Sequence, residues 1–416
     1  MVELTIRAAR EVTLDQIVAS HTNIGIEVEK VRIDPQNRLS EQPFPTDFSE
    51  EVGEFVEHEF FNAQIEFAMP VEPDVEKNSA RAAQIVQAVA NHLGPGERLW
   101  PYSCPPPLTQ PLEQRHISRQ PEETYSYRER LSHVYDLRRI LNTGIHINLS
   151  FTEPALAALL QLTEFSTTDE LYVHLAQYFM LHRWLFTYLF GATPLAFAGY
   201  FPGDAPTHPV RSLRSGPLGF PTNIHGDYQS VPRYVARIEK AIATGELLAP
   251  GQYYEPVRLK STAGKDPRKL LETGISHLEL RAFDLNPGTV TGVTADQLRL
   301  VQSLAVYFAV EPPLEAEEFE TELAVARQLN DLIAMEDPRD ASTCQNQAEE
   351  ILSQLVSFAA FYEFPAEYQC SIHHFLETCT DCTRSLSYKV WQQIGKLGNP
   401  ALSNECFTFK FEPESD

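Results

Sequence analysis

The sequence predicts an α+β fold in which a sheet with one apolar and one polar face packs on helices, and three observations predict it. Five short segments alternate apolar and polar residues, which is the period of a half-buried strand. Longer stretches between and after them repeat apolar residues at helical spacing. The part beyond residue 290 carries almost only the helical pattern.

In chain order, the first strand is NIGIEVEKV at 23–31. Successive side chains of a strand point to opposite faces, so Glu27 and Glu29 share one face and Ile26 and Val28 the other. Two like charges side by side repel. An exposed face tolerates this at small cost, whereas a concave site needs a cation between them. QIEFAMP at 64–70 sets Gln64 and Glu66 against Ile65 and Phe67, and GIHINLSF at 144–151 sets His146, Asn148 and Ser150 against Ile145, Ile147 and Leu149. In EPVRLKS at 255–261, Arg258 and Lys260 face away from Val257 and Leu259. In SHLELRAFD at 276–284, His277, Glu279 and Arg281 face away from Leu278 and Leu280.

Helices are expected over 80–93 after Asn78 and Ser79, over 169–190 after Thr168, and over 295–310 after Thr294, with long ones over 314–336 and 346–363. The proline-rich stretches WPYSCPPPL (100–108) and GYFPGDAPTHP (199–209) read as long ordered connections. No internal repeat and no domain boundary is visible, so the chain reads as one domain.

The polar faces have a particular inventory. A plain solvated face tends toward Thr, Lys, Gln and Ser, whereas these strands offer Glu, His, Asn, Arg and Lys, with acids and bases concentrated on different strands. One reading is a sheet with a wet face. The other is a site that holds divalent cations on one side and anionic phosphates on the other.

Composition excludes some classes. A formal charge of -24, from 57 acids against 33 bases, argues against a nucleic-acid surface, which needs concentrated positive charge. An anionic ligand would then be carried by metal ions. The N-terminal stretch has early acids and no signal-peptide core, and the apolar region 171–190 is broken by His174, His182 and Arg183. Both features point to a cytoplasmic protein without membrane partners. Six cysteines are expected as reduced thiols. Cys370, His373, His374, Cys379 and Cys382 crowd together. Without a second CxxC or a spaced histidine pair, cysteines on a buried helix are the simpler reading and a structural zinc the other.

At this point a resemblance enters, carried by GIEVEK (25–30), EFFNAQIEF (59–67), LWPYSCPP (99–106), YRERLSHVY (127–135), TGIHINLSF (143–151), SLRSGPLGF (212–220), YYEPVRLK (253–260) and GISHLELRAFDLNP (274–287). Together and in this order they resemble the bacterial type of glutamate-cysteine ligase, also called γ-glutamylcysteine synthetase. The resemblance covers residues 20–290 and implies a single catalytic domain over 1–416 that is mostly helical over 291–416. It implies a funnel-like, largely antiparallel sheet related to that of glutamine synthetase, with one polar face lining the active site. It also implies an ATP-dependent carboxylate-amine ligase that activates the γ-carboxylate of L-glutamate as an acyl phosphate and passes it to an amine, by default that of L-cysteine.

The implied roles fall on particular residues. Glu27, Glu29, Glu66, His146 and Glu279 match ligands of Mg2+ (or Mn2+), with Glu59 standing where aspartate is usual. Arg281 matches an arginine beside the transferred phosphoryl group, and Arg258 and Lys260 lie on a nucleotide-side strand. Phe60, Tyr127, Arg128 and Arg214 match the lining of the amino-acid pocket. The chain departs from the family at Ile140, where glutamine is usual, at Phe220, where tyrosine is usual, and at Cys104, where methionine is usual. These departures touch acceptor choice more than reaction type. His146 alone on an apolar strand would also fit a structural histidine, and Arg281 a cross-sheet partner of an acid. Two other functions fit the same residues: the same chemistry with a different amine, and a catalytically silent binding homologue. With no second ATP-using module before residue 416, the chain is not expected to make glutathione by itself.

Overall fold

In the computed structural model, residues 12–220 and 224–396 are described. Seven strands form one mixed-length sheet: β1 (Thr22–Ile33), β2 (Val56–His58), β3 (Gln64–Ala68), β4 (Arg98–Leu99), β5 (Ile145–Phe151), β6 (Val257–Lys260) and β7 (His277–Phe283). Their spatial order is β2-β3-β1-β5-β7-β6, with β4 pairing the end of β1, and every pairing is antiparallel. The five alternating segments are five of these strands. The other two, three and two residues long, are too short to show a period.

The apolar face of the sheet sits on helices. Ile24, Ile26, Val28, Ile65, Phe67, Ile147, Leu149, Leu278 and Leu280 are buried in the larger core. Helices Val75–His92, Thr168–Leu181 and Ala295–Ala309 pack against them. Each such side chain contributes roughly 1.5–3 kcal/mol on burial. Two cations also lie in β1 among these residues. Arg32 is satisfied by Glu97 at 2.7 Å and by three backbone carbonyls. Lys30, buried, has its pKa pulled down to about 8 by loss of water.

One irregularity shapes the polar face. The β5–β7 register steps from Ile145↔Phe283 to Ile147↔Leu280, so Arg281 and Ala282 together stand opposite His146. Such a bulge shifts the alternation by one. Leu278, Leu280 and Phe283 therefore all reach the core, while Glu279, Arg281 and Ala282 all line the cleft.

Helix boundaries correct the sequence reading in places. The first long helix begins at Val75, because Asp74 caps it by accepting the Lys77 N–H at 3.1 Å. Asn78, taken as a start signal, lies inside that helix and donates its amide to the Ile24 carbonyl at 2.6 Å, tying helix to sheet. The expected helix over 169–190 is two helices, Thr168–Leu181 and Arg183–Phe190, separated at His182. Helices Glu153–Leu162 and Val231–Ala243 were not anticipated. Each carries proline in its first turn, where it is tolerated but reads as a breaker. Helices Ala316–Met335, Gln345–Phe361, Ala366–Thr380 and Leu386–Lys396 make the described C-terminal part helical, as the sequence indicates, and the rest of that expectation, 397–416, lies outside the described residues.

A second core fills the other side of the sheet beyond the polar face. Val31, Ile33, Phe60, Phe61, Trp100, Tyr102, Cys104, Ile140 and Phe197 pack there. The 100–108 connection is ordered by this core: Trp100 Nε1 donates to the Cys104 carbonyl at 2.8 Å.

Candidate active site

The polar face floors a cleft of about 560 Å³. Its acidic side is built by register. Glu27 pairs with His146 across β1 and β5, and Glu29 pairs with Glu66 across β1 and β3. His146 Nδ1 lies 3.0 Å from Glu27 Oε2 and its Nε2 lies 3.5 Å from Glu29 Oε1. The Asn148 amide donates to Glu27 Oε1 at 2.8 Å, and the Gly144 N–H donates to Glu29 Oε2 at 2.9 Å. Glu59 accepts the Phe60 N–H at 2.5 Å.

The charges of this side are strained by one another. Burial and the neighbouring Glu59, Glu27, Glu29 and Glu57 push Glu66 well above the ordinary carboxylate range. Burial and Glu29 likewise raise Glu59. For Glu27 burial acts in the same upward direction, but the hydrogen bond and charge of His146 outweigh it and hold the group at about 2.

Two sets of ligand atoms, Glu27 with Glu66 and His146, and Glu29 with Glu59 and Glu66, each lie within 4.8 Å of one another. Glu66 belongs to both. Asn148 Oδ1, on the same strand as His146, is buried without a hydrogen-bond partner. Hard oxygens with one imidazole, crowded enough to repel one another when ionised, fit hard divalent cations such as Mg2+ or Mn2+.

The cationic side is organised around Glu279. Its carboxylate meets Arg281 at 3.0 Å, Lys260 at 3.4 Å and Arg258 at 3.6 Å. Burial would raise its pKa, yet these three charges hold it well below the carboxylate range. Glu279 thus sits among cations and joins neither group of ligand atoms, although its Oε2 accepts no hydrogen bond. Arg281 joins the two halves: its Nη1 lies 3.0 Å from Glu279 and 3.4 Å from His146 Nδ1.

The remaining wall of the cleft carries a different chemistry. Arg128 is fixed by the carbonyls of Ser118, Gln120 and His58 at 3.3, 2.6 and 3.3 Å. Tyr127 and Tyr254 interact through their phenols, and Arg258 lies over the Tyr254 ring at 5.7 Å. Phe220 packs on Tyr254 with ring centres 4.0 Å apart, and Phe60, Leu131 and Ile140 continue this apolar wall. Arg214 lines the cleft and donates to the Arg281 carbonyl through Nη1 and Nη2, each at 3.3 Å.

All fifteen anticipated residues, from Glu27 through Arg281, therefore line this one cleft. Residues that sequence reasoning did not assign also line it, among them Glu57, Arg183, Glu255 and Lys265. Glu57 stands opposite Glu66, but on a strand too short to be seen. Arg183 starts a helix whose apolar neighbours suggest only burial. Cys370 is exposed and Cys379 buried on the Ala366–Thr380 helix. Among the described residues, the groups able to hold a metal are the two in the acidic cleft. Also among them, no helix is long and apolar enough to cross a membrane.

Comparisons with known proteins bear on the family and the fold. The glutamate-cysteine ligase family model matches residues 11–248 and 246–330. A glutathione biosynthesis bifunctional protein of Lactiplantibacillus plantarum is 30% identical over 384 residues, covering 90% of this chain and 50% of that protein. A protein of the same description from Streptococcus agalactiae is 30% identical over 359 residues, covering 83% and 46%. The chain thus spans about half the length of these relatives. Among solved structures, the glutamate-cysteine ligase of Francisella tularensis in complex with AMP superposes with a TM-score of 0.81 at 18% identity, covering 92% of this chain and 86% of that one. The bifunctional glutathione synthetase of Pasteurella multocida gives 0.79 at 24% identity, covering 93% and 50%. At such identities the superpositions establish the fold. Family model and sequence relatives together establish more: the chain belongs to the glutamate-cysteine ligase family.

Proposed function

We propose that this protein is an ATP- and Mg2+-dependent ligase that joins the γ-carboxylate of L-glutamate to the amine of L-cysteine through a γ-glutamyl phosphate. The observation that carries this reading is the division of one cleft into an acidic half and a cationic half, joined by Arg281. Carboxylates are poor electrophiles, so the γ-phosphoryl group of ATP must first be transferred to one glutamate oxygen, releasing ADP. The acceptor nitrogen then bonds the acyl carbon, phosphate leaves with its electron pair, and the amine gives up a proton. Divalent ions, when bound, offset the repulsion between the triphosphate and the substrate carboxylate.

Glu27, Glu29, Glu59, Glu66 and His146 would hold those ions, with Glu279 Oε2 the oxygen on the cationic side left to serve there. Arg258 and Lys260 bind phosphate oxygens. Arg281 stabilises the charge that develops on the transferred group. Phe60, Tyr127, Arg128 and Arg214 position the amino acids. A cytoplasmic enzyme acting on small molecules, with no nucleic-acid partner, matches the charge of -24. A silent homologue would have no need of mutually repelling acids. The apolar wall of Ile140, Phe220 and Tyr254 favours one second reading, an acceptor less polar than cysteine.

The test is ADP release with glutamate, a panel of acceptor amines and Mg2+, with the product weighed by mass spectrometry. Release that requires both glutamate and an amine supports the ligase. ATP hydrolysis indifferent to glutamate would remove it.

A further inference from the structure

Gly144, in the turn entering β5, is linked to the bulge in β7 through the Arg214 guanidinium. Its N–H donates to Glu29 Oε2 at 2.9 Å and its carbonyl accepts the Glu29 N–H at 3.0 Å, so its backbone braces the acidic side. Its other face meets the Arg214 guanidinium: a β-carbon at position 144 would overlap Nη2 and Cζ and lie 2.6 Å from Nε. The guanidinium admitted there donates to the Arg281 carbonyl, beside Ser215 Oγ, which donates to the Ala282 carbonyl at 3.4 Å. The two carbonyls of the bulge are thus held from the Arg214–Ser215 segment. Gly144 does not adopt a left-handed backbone conformation, so an alanine is allowed by torsion and excluded by space alone.

We propose that Gly144 is a positioning residue for Arg281: the side chain it lacks is the seat of the Arg214 guanidinium, which holds the bulge carbonyl and so sets the direction from which Arg281 faces the cleft. The catalytic part of this inference rests on the ligase reading. The atoms that an added β-carbon meets are the far end of a flexible side chain, so an alanine variant folds with Arg214 turned away.

The experiment compares the parent, Gly144→Ala, Arg214→Ala and the double variant by crystallography and by glutamate-dependent ADP release. In the Gly144→Ala crystal structure the Arg214 guanidinium is expected off the Arg281 carbonyl, and the Arg281 guanidinium shifted from its 3.0 Å contact with Glu279. Turnover is expected to fall on the order of a hundredfold, as small misplacements of a positioned group do. The Mg2+ concentration for half-activity should stay unchanged, because Gly144 makes both of its contacts to Glu29 through its own backbone N–H and carbonyl, which an alanine keeps. In the Arg214→Ala background the alanine at 144 should add little, the mark of two residues acting through one contact. An Arg281 that keeps its place in the variant structure overturns the inference, as does a Gly144→Ala loss that persists in full without Arg214. If the parent itself shows no glutamate-dependent release, the ligase reading falls, and the positions of Arg214 and Arg281 in the variant structure still decide whether Gly144 seats them.

Discussion

Glu66 stands directly opposite Glu29 across β1 and β3, and its carboxylate belongs to both sets of metal-competent ligand atoms. A single side chain therefore sets how the acidic half behaves with and without cations.

Glu66→Gln should abolish turnover while raising the stability of the cation-free protein. The folded-state pKa of Glu66 lies well above the ordinary 4.5, so the folded protein binds a proton more readily there than the unfolded chain does. Its contribution is fully present below about 4.5 and is lost as pH rises through the elevated value. The melting temperature of the cation-free parent should thus decline across that rise, and the variant should show a flatter profile. A variant that melts lower than the parent at neutral pH would contradict the repulsion.

Cation binding should release protons. Glu59 and Glu66 are both raised in the cation-free site, and a ligating carboxylate must give up its proton. Titration calorimetry with Mg2+ in buffers of different ionisation enthalpy measures this directly. Heats independent of buffer in the range where these carboxyls hold their protons would remove both from the ligand set.

Arg281→Lys keeps the charge and should still lose on the order of a hundredfold or more in turnover, with smaller changes in the KM for glutamate. Lysine is a point charge and cannot present a planar fork to two phosphoryl oxygens, whereas Arg281 holds Glu279 and His146 through the single nitrogen Nη1 and carries its charge on a guanidinium of that shape. Near-parental turnover would make Arg281 a structural partner of Glu279.

Ile140→Gln with Phe220→Tyr should shift acceptor preference toward cysteine. Both side chains line the apolar wall of the cleft without a polar atom to offer, and each hydrogen bond gained is worth about 0.5–1.5 kcal/mol. The ratio of kcat/KM for cysteine to that for the best apolar amine, in parent and double variant, is the measurement. An unchanged ratio would show that these positions do not read the acceptor.

The polar face was legible because a strand of four or more residues displays its period, and acids at 27, 29 and 66 with bases at 258, 260 and 281 cannot all be dismissed as solvated. What stayed hidden depends on neighbours distant in the chain. Nothing in HLELRAF announces a bulge, because Ala282 fits either face, and Phe283 returns to the core only through the pairing with Ile145. Asn78 has the chemistry of a cap and is spent on Ile24 instead, while Asp74 does the capping. Glu279 is indistinguishable in sequence from the other acids. Arg281 follows it on the same strand, but its company of Arg258 and Lys260 comes from β6 being laid beside β7.

That strand order also gives the cleft a direction. Crossing from β3 through β1 and β5 to β7 and β6, the floor passes from Glu66 and Glu29, over His146, to Arg281, Arg258 and Lys260, so electric potential climbs along one axis of the sheet. For a solute whose phosphates all sit at one end, the two ways of entering differ in energy at distances where shape is not yet felt. The sheet acts as a compass needle held still: it turns an incoming dipole before any side chain touches it, and salt in the medium weakens that turning first.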